Sequence, residues 1–215
     1  MLPRLESVTL KFGDVLYRPR EAIRHVYFPT DCLVSLLTHV GGRLTLEVGL
    51  VGREGMLGVP LALGVSNSPV SALVLGSGTA LRMKSAHFLN EYWHNPALQR
   101  AVCRYTYDLM VQLTQTAACN RFHRVEGRLA RWLLMTRGRV GLSHSRLTQD
   151  MLGKLLGVLR VAVTKSAGTL QKRKLISYSR GKISILNSKG LMAAACQCYQ
   201  TVKEVPAVTR PAWPP

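Results

Sequence analysis

The stretch SHSRLTQDMLGKLLGVLRVAVTKSAGTLQKRKLISYSRGKISILN, residues 143–187, contains two short helical patterns followed by two alternating runs. Residues 147–156 put Leu152, Leu155 and Leu156 on one helical face. Thr148 is suited to cap the start of that helix, and Gly157 to end it in the left-handed conformation. A second helix is expected from about Leu159. Val163, Ala167 and Leu170 mark its core side, which leaves Arg160, Val161, Thr164, Lys165 and Gly168 on the opposite face. Residues 175–178 and 183–186 flank the turn Ser179-Arg180-Gly181-Lys182 and read as a hairpin with a basic tip.

Helix, turn, helix and hairpin in this order describe a winged helix-turn-helix, and the charge distribution fits one. The chain has 215 residues, with 29 Lys and Arg against 11 Asp and Glu. Residues 120–182 contain 15 of the basic residues and only Glu126 and Asp150 as acids, whereas residues 1–119 are close to balanced. A concentrated basic segment binds polyanions, because each cation that neutralises a phosphate releases condensed counterions. The charge is spread over several short elements rather than along one amphipathic helix with large apolar residues beside it. Nucleic acid is therefore the expected partner, ahead of a membrane surface.

An α-helix fits the major groove, where Arg and Lys read guanine edges while other contacts to phosphate fix register. Arg160, Val161, Thr164 and Lys165 are the expected base-reading residues. Thr148 and Gln149 on the first helix, with Arg180 and Lys182 at the wing, are expected to contact phosphates, and Lys172, Arg173 and Lys174 to add non-specific affinity.

Upstream the periodicity differs. Seven short apolar runs, VTLKF, DVLY, HVYF, LVSLL, LTLEVGLV, SALVL and TALRM, are separated by turn residues such as Gly13, Arg18-Pro19, Pro29-Thr30, Gly41-Gly42 and Gly76-Ser77-Gly78. Runs of this length and composition predict an antiparallel sandwich or barrel. Residues 55–81 carry no charge, but Pro60, Pro69 and five glycines make the segment a poor membrane span. Ser85 is placed to cap a short helix, and Pro96 to begin a long one. In the long helix Leu98, Val102, Tyr105, Leu109, Leu113 and Thr116 form a stripe that must be covered, either by the β domain or by a second copy of the chain. In the next helix, RVEGRLARWLLMTR, Val125, Leu129, Trp132 and Leu133 are expected inward and the arginines outward. The expected division is a β-roll over 1–95, a dimerisation helix over 96–122, a winged helix-turn-helix over 123–190 and a tail over 191–215. VPAVTRPAWPP, with four prolines in eleven residues, is expected to be disordered.

Five cysteines, Cys32, Cys103, Cys119, Cys196 and Cys198, are an odd number in a chain whose N-terminus lacks an apolar core of signal-peptide length. Reduced thiols and a cytoplasmic location are expected. Cys196 and Cys198 are the only close pair. None of the six histidines shows ligand spacing beside them, so no metal is expected, and a redox or metal sensor at this pair is the minor reading. Glu47 and Glu54 are the candidate carboxylates for an enzyme. No nucleophile, phosphate loop or metal pair accompanies them, so they are read as a solvent-facing strand residue and a turn residue, and the chain as not an enzyme.

Residues 146–177, RLTQDMLGKLLGVLRVAVTKSAGTLQKRKLIS, resemble the helix-turn-helix of the CRP/FNR family of bacterial regulators, with Thr148, Leu152, Gly153, Leu156, Gly157, Arg160, Val163, Leu175 and Ile176 at the motif positions. RVEGRLARWLL resembles the family's linking helix, and GDVLYRPREAIRHVYFPTDCLVSLL resembles the first strands of its cyclic-nucleotide-binding β-roll. The resemblance spans nearly all of residues 10–190. It implies an α+β chain: an N-terminal antiparallel β-roll, a long dimerisation helix and a C-terminal winged helix-turn-helix. It also implies a homodimer on palindromic double-stranded DNA, with half-sites about one helical turn apart.

Two departures qualify the resemblance. Val161 stands where many members carry an acid that reads cytosine, so a different target sequence is expected. The nucleotide-binding members hold ribose with Gly-Glu and the cyclic phosphate with Arg-Ser-Ala, where this chain has Gly55-Met56 and Val70-Ser71-Ala72. Met56, Val70 and Ser71 thus outline a degenerate effector pocket in which a phosphate would be buried without its bidentate partner. The implied effector is an unknown small molecule other than cAMP, or none, and no cofactor is implied. RNA polymerase is a further partner of activators, for which no surface is marked. The competing reading is a β-roll interaction or ligand-binding scaffold with a vestigial DNA-binding domain.

Overall fold

The computed structural model describes residues 4–41, 44–139 and 147–208. Residues 143–146 of the opening stretch and 209–215 of the tail lie outside them. All seven expected apolar runs are strands: β1 Glu6–Leu10, β2 Val15–Tyr17, β3 His25–Pro29, β4 Leu33–Val40, β5 Leu44–Val51, β6 Ser71–Gly76 and β7 Gly78–Lys84. They form two antiparallel sheets, ordered β1-β7-β3 and β2-β6-β4-β5. A short helix, α1 Val59–Ala62, lies between β5 and β6.

β4 is buried at five consecutive residues, Leu33 to Leu37, where a sheet wet on one face would alternate. Both of its faces are covered. Val34 and Leu36 point into the core between the sheets with Val26, Val51, Ala72, Val74 and Met83. Leu33 and Leu37 join Leu50 and Leu75 in a second core, shared with the C-terminal helices.

The helices are α2 Ser85–His94, α3 Pro96–Phe122, α4 Val125–Arg139, α5 Gln149–Leu156, α6 Arg160–Lys172, α7 Ser188–Ala194 and α8 Cys198–Val208, with the hairpin β8 Ile176–Ser179 and β9 Lys182–Ile185 between α6 and α7. Ser85 is the first residue of α2 rather than its cap, and its hydroxyl donates to the Ile23 carbonyl. Asn95 caps α3 by accepting from the Leu98 amide, and Pro96 occupies the first turn, where no N–H is needed.

The stripe on α3 is covered by the β domain. Leu109 and Leu113 lie against Gly49, and Tyr105 lies so close to Gly55 that a Cβ there would overlap its ring. Gln112, buried in the same face, donates to the Leu50 carbonyl and accepts from the Leu50 amide at 3.1 Å each, so its side chain pairs with β5 as a neighbouring strand would. The other side of α3 is exposed, including Tyr107, Met110 and Phe122.

Three expectations are corrected. Arg128 and Arg131 of α4 are buried, each 7% exposed, because α3, β5 and α5 close over that face. Arg128 donates to Asn120 Oδ1 at 2.7 Å and to the Leu156 carbonyl, and Arg131 to Thr116 Oγ1 at 2.9 Å. Glu47 does not face solvent. Its carboxylate accepts from Ser35 Oγ at 2.7 Å and from Trp132 Nε1 at 2.8 Å, which links β4, β5 and α4. The segment read as a tail begins with the end of α7 and then α8, which packs on α3 and α4. Glu54 sits in a turn as expected and accepts from the Gly52 amide.

Candidate nucleic-acid interface

The interface is assembled from α5, α6 and the hairpin. The Thr148 hydroxyl accepts from the Met151 amide and satisfies one of the open donors at the start of α5. α5 ends at Gly157 with φ +62°. The turn to α6 is tight enough that a Cβ on Gly153 would lie 2.9 Å from the Val158 carbonyl oxygen, so both glycines are required by geometry.

α6 buries Val163, Ser166, Ala167 and Leu170. Arg160, Val161, Thr164 and Lys165 are exposed together on its outer face, as the periodicity predicts. Gln149 is brought beside them, and its Oε1 accepts from the Thr164 hydroxyl at 2.6 Å. This contact ties the first turn of α5 to the middle of the outer face of α6. Val161, 69% exposed, adds an apolar element to that face.

The hairpin turn is two residues long. Arg180 and Gly181 have φ +49° and +80°, the positive pair of a type I′ turn, and Ser179 pairs with Lys182 as the last rung. Arg180 and Lys182 are both solvent-accessible at the tip. Two bonds fix the wing to Leu147, just ahead of the α5 cap: the Tyr178 hydroxyl donates to the Leu147 carbonyl at 2.6 Å, and the Leu147 amide donates to the Gly181 carbonyl at 2.8 Å. Burial pushes the Tyr178 phenol up from its ordinary pKa, so it remains a donor at neutral pH.

Arg173 is held in an ion pair. It pairs with Glu126 of α4 at 2.9 Å, while Lys172 and Lys174 remain exposed.

The expected effector-pocket residues lie at different depths in the β-roll. Met56 is 4% exposed in the core between the sheets, and Val70 packs against the same core. Ser71 Oγ lies 3.0 Å from His39 Nε2 at the sheet surface. A small cavity of about 30 Å³ lies elsewhere, between β5, α3, α4 and α5, and is lined by Glu47, Gln112, Arg128 and Arg131 among others.

A second cluster was not legible from spacing alone. Cys119 and His123, one turn apart at the end of α3, meet Cys196 and Cys198 at the start of α8, with the four ligand atoms within 4.8 Å of one another. His123 thus lies beside the Cys196 and Cys198 pair in space, although no histidine has ligand spacing beside it in the sequence. Cys-x-x-x-His at i and i+4 on α3 was the available signal, but the chain separation of more than 70 residues hid its partners. The hydrogen bond shared with Cys196 holds the Cys119 thiol down at about 5 despite burial, with Arg131 adding to the effect, and pushes Cys196 up.

Residues 127–194 match the Crp-like helix-turn-helix domain. No curated protein matches the sequence. Among solved structures, FixK2 from Bradyrhizobium japonicum is 13% identical, covers 89% of this chain and 98% of its own, and superposes with a TM-score of 0.73. A CRP/FNR family transcriptional regulator from Thermus thermophilus is 22% identical, with coverage of 88% and 98% and a TM-score of 0.71. CLP of Xanthomonas campestris, a c-di-GMP responsive global regulator, is 17% identical, with coverage of 86% and 95% and a TM-score of 0.66. These likenesses establish the fold.

Proposed function

We infer, from a chain that has the fold of the CRP/FNR transcriptional regulators and carries a Crp-like helix-turn-helix domain, that this protein is a sequence-specific regulator binding palindromic double-stranded DNA as a homodimer. The observation that carries the reading is the outer face of α6. Arg160, Val161, Thr164 and Lys165 are presented together and unburied, with Gln149 attached and the basic wing turn fixed alongside. A surface that served only as packing would bury those residues. A solvated charged helix would not require the wing to be tied to Leu147 at the entry to α5.

In this reading Arg160, Thr164 and Lys165 address base edges, and Val161 supplies an apolar contact of the kind that suits a thymine methyl. Thr148, Gln149, Arg180 and Lys182 hold the backbone. The second copy docks along the exposed side of α3, where Tyr107, Met110 and Phe122 are uncovered. The effector in this reading is a small molecule other than cAMP, or none: Met56 lies in the core between the sheets and Val70 packs against it, and neither side chain supplies a cation for a cyclic phosphate.

The test is binding-site selection with the full-length protein, followed by titration of the selected duplex at increasing salt. An inverted repeat with half-sites about 10 base pairs apart is expected, and the affinity should fall steeply and linearly on a logarithmic salt scale. Selection that returned no consensus, with binding insensitive to salt, would sink the reading.

A further inference from the structure

The cluster at the junction of α3 and α8 has the composition and dimensions of a tetrahedral metal site. Cys119 Sγ lies 3.4 Å from Cys196 Sγ, and Cys198 Sγ lies 3.3 Å from His123 Nδ1. All four ligand atoms fall within 4.8 Å of one another. Bonds of about 2.3 Å from zinc to sulfur and 2.0 Å to nitrogen place tetrahedral ligands roughly 3.5 to 3.8 Å apart. The cage therefore needs only small side-chain adjustments to close on an ion. Three thiols and one imidazole are also the donor set that soft, tetrahedral Zn(II) takes in structural sites.

The surroundings support the ligands. Gln115 Nε2 donates to Cys198 Sγ at 2.9 Å, a contact that orients the sulfur. Three thiolates around a dication leave one net negative charge. The buried guanidinium groups of Arg128 and Arg131 interact with these thiols and offset it. Cys119 and Cys198 are fully buried, while His123 and Cys196 are partly exposed and leave an entry route.

We propose that Cys119, His123, Cys196 and Cys198 bind one Zn(II) per chain, and that the ion clasps α8 to the end of the long helix. All three cysteines ligate as thiolates, the protons that Cys196 and Cys198 carry passing to solvent, and His123 ligates through Nδ1 with its proton on Nε2. The site spans the break between α3 and α4, the joint through which the helix-turn-helix hangs from the β-roll. Two cysteines at disulfide approach would explain Cys119 and Cys196 alone. They would not explain why His123 and Cys198 converge on the same point.

The experiment uses the full-length protein, reduced, dialysed against a chelator and titrated with Zn(II) in competition with a chromophoric chelator. A parallel titration uses Co(II) as a spectroscopic stand-in. The expected result is one ion per chain, with the intense visible bands and thiolate charge transfer of tetrahedral cobalt. Cys119→Ser and Cys198→Ser should abolish stoichiometric uptake, and Gln115→Ala should lower affinity about 10- to 100-fold. Cys103→Ser, exposed and outside the cluster, should change nothing. Three outcomes would overturn the proposal: folded, reduced wild type that takes up no zinc, an octahedral cobalt spectrum lacking charge transfer, or loss of two thiols to a Cys119 to Cys196 disulfide with zinc excluded. The wild-type spectrum decides even if the serine variants do not fold. No DNA is present, so this result is independent of the DNA-binding reading.

Discussion

Arg160 and Lys165 occupy one exposed face of α6, and Lys182 sits at the wing turn, so the proposed reading gives the three cations separable roles. Replacing Arg160 with Ala is expected to cost about 1 to 3 kcal/mol on the selected site and to relax the preference at one base position. Replacing Lys182 should weaken all sequences alike and flatten the salt dependence by about one counterion. Competition titrations against single-base variants of the site distinguish the two. The same consensus for Arg160→Ala as for wild type would remove that residue from the readout. These positions were legible because a 3.6-residue period assigns sides from the apolar residues alone. Arg128 and Arg131 were not. Periodicity gives the direction a side chain points and not what lies there, and for these two α3, β5 and α5 cover the face by tertiary packing.

At the scale of elements, the two-sided burial of β4 explains why its apolar run is continuous, and Glu47 shows what that second face does. A carboxylate 8% exposed accepts from both a strand serine and the indole of α4. This is a polar contact between the β-roll and the helix-turn-helix half, in a layer that also buries Gln112, Arg128 and Arg131. Trp132→Phe removes a donor while Glu47 stays buried, and urea unfolding should show a loss of about 1 to 3 kcal/mol. Glu47→Leu combined with Trp132→Phe should cost less than the sum of the single changes, because the orphaned partners disappear together. Strict additivity in that cycle would mean the two groups are not coupled. From the sequence, Glu47 looked like the polar residue of an alternating strand. What it lacked was any trace of α4, more than 80 residues further on, which makes the opposite face an interior.

For the whole molecule the decisive element is α3, 27 residues long and therefore about 40 Å from end to end. One side is fixed to β5 by Gln112 and by Leu109 and Leu113, so the β-roll has already taken the stripe that the periodicity singled out. In the homodimer we propose, the second copy must then use the remaining side, where Tyr107 and Met110 are 55% and 59% exposed. A charge placed there meets its own copy across a two-fold axis and is desolvated twice. Met110→Glu is accordingly expected to convert the dimer to monomer in sedimentation velocity runs while leaving the circular dichroism of the chain unchanged. Its DNA affinity should drop by about 100-fold or more, because the second half-site is no longer held at high effective concentration. Binding to an isolated half-site should be unaffected by the same substitution. If Met110→Glu remained dimeric with full-site affinity intact, the two copies would have to meet through a surface other than α3.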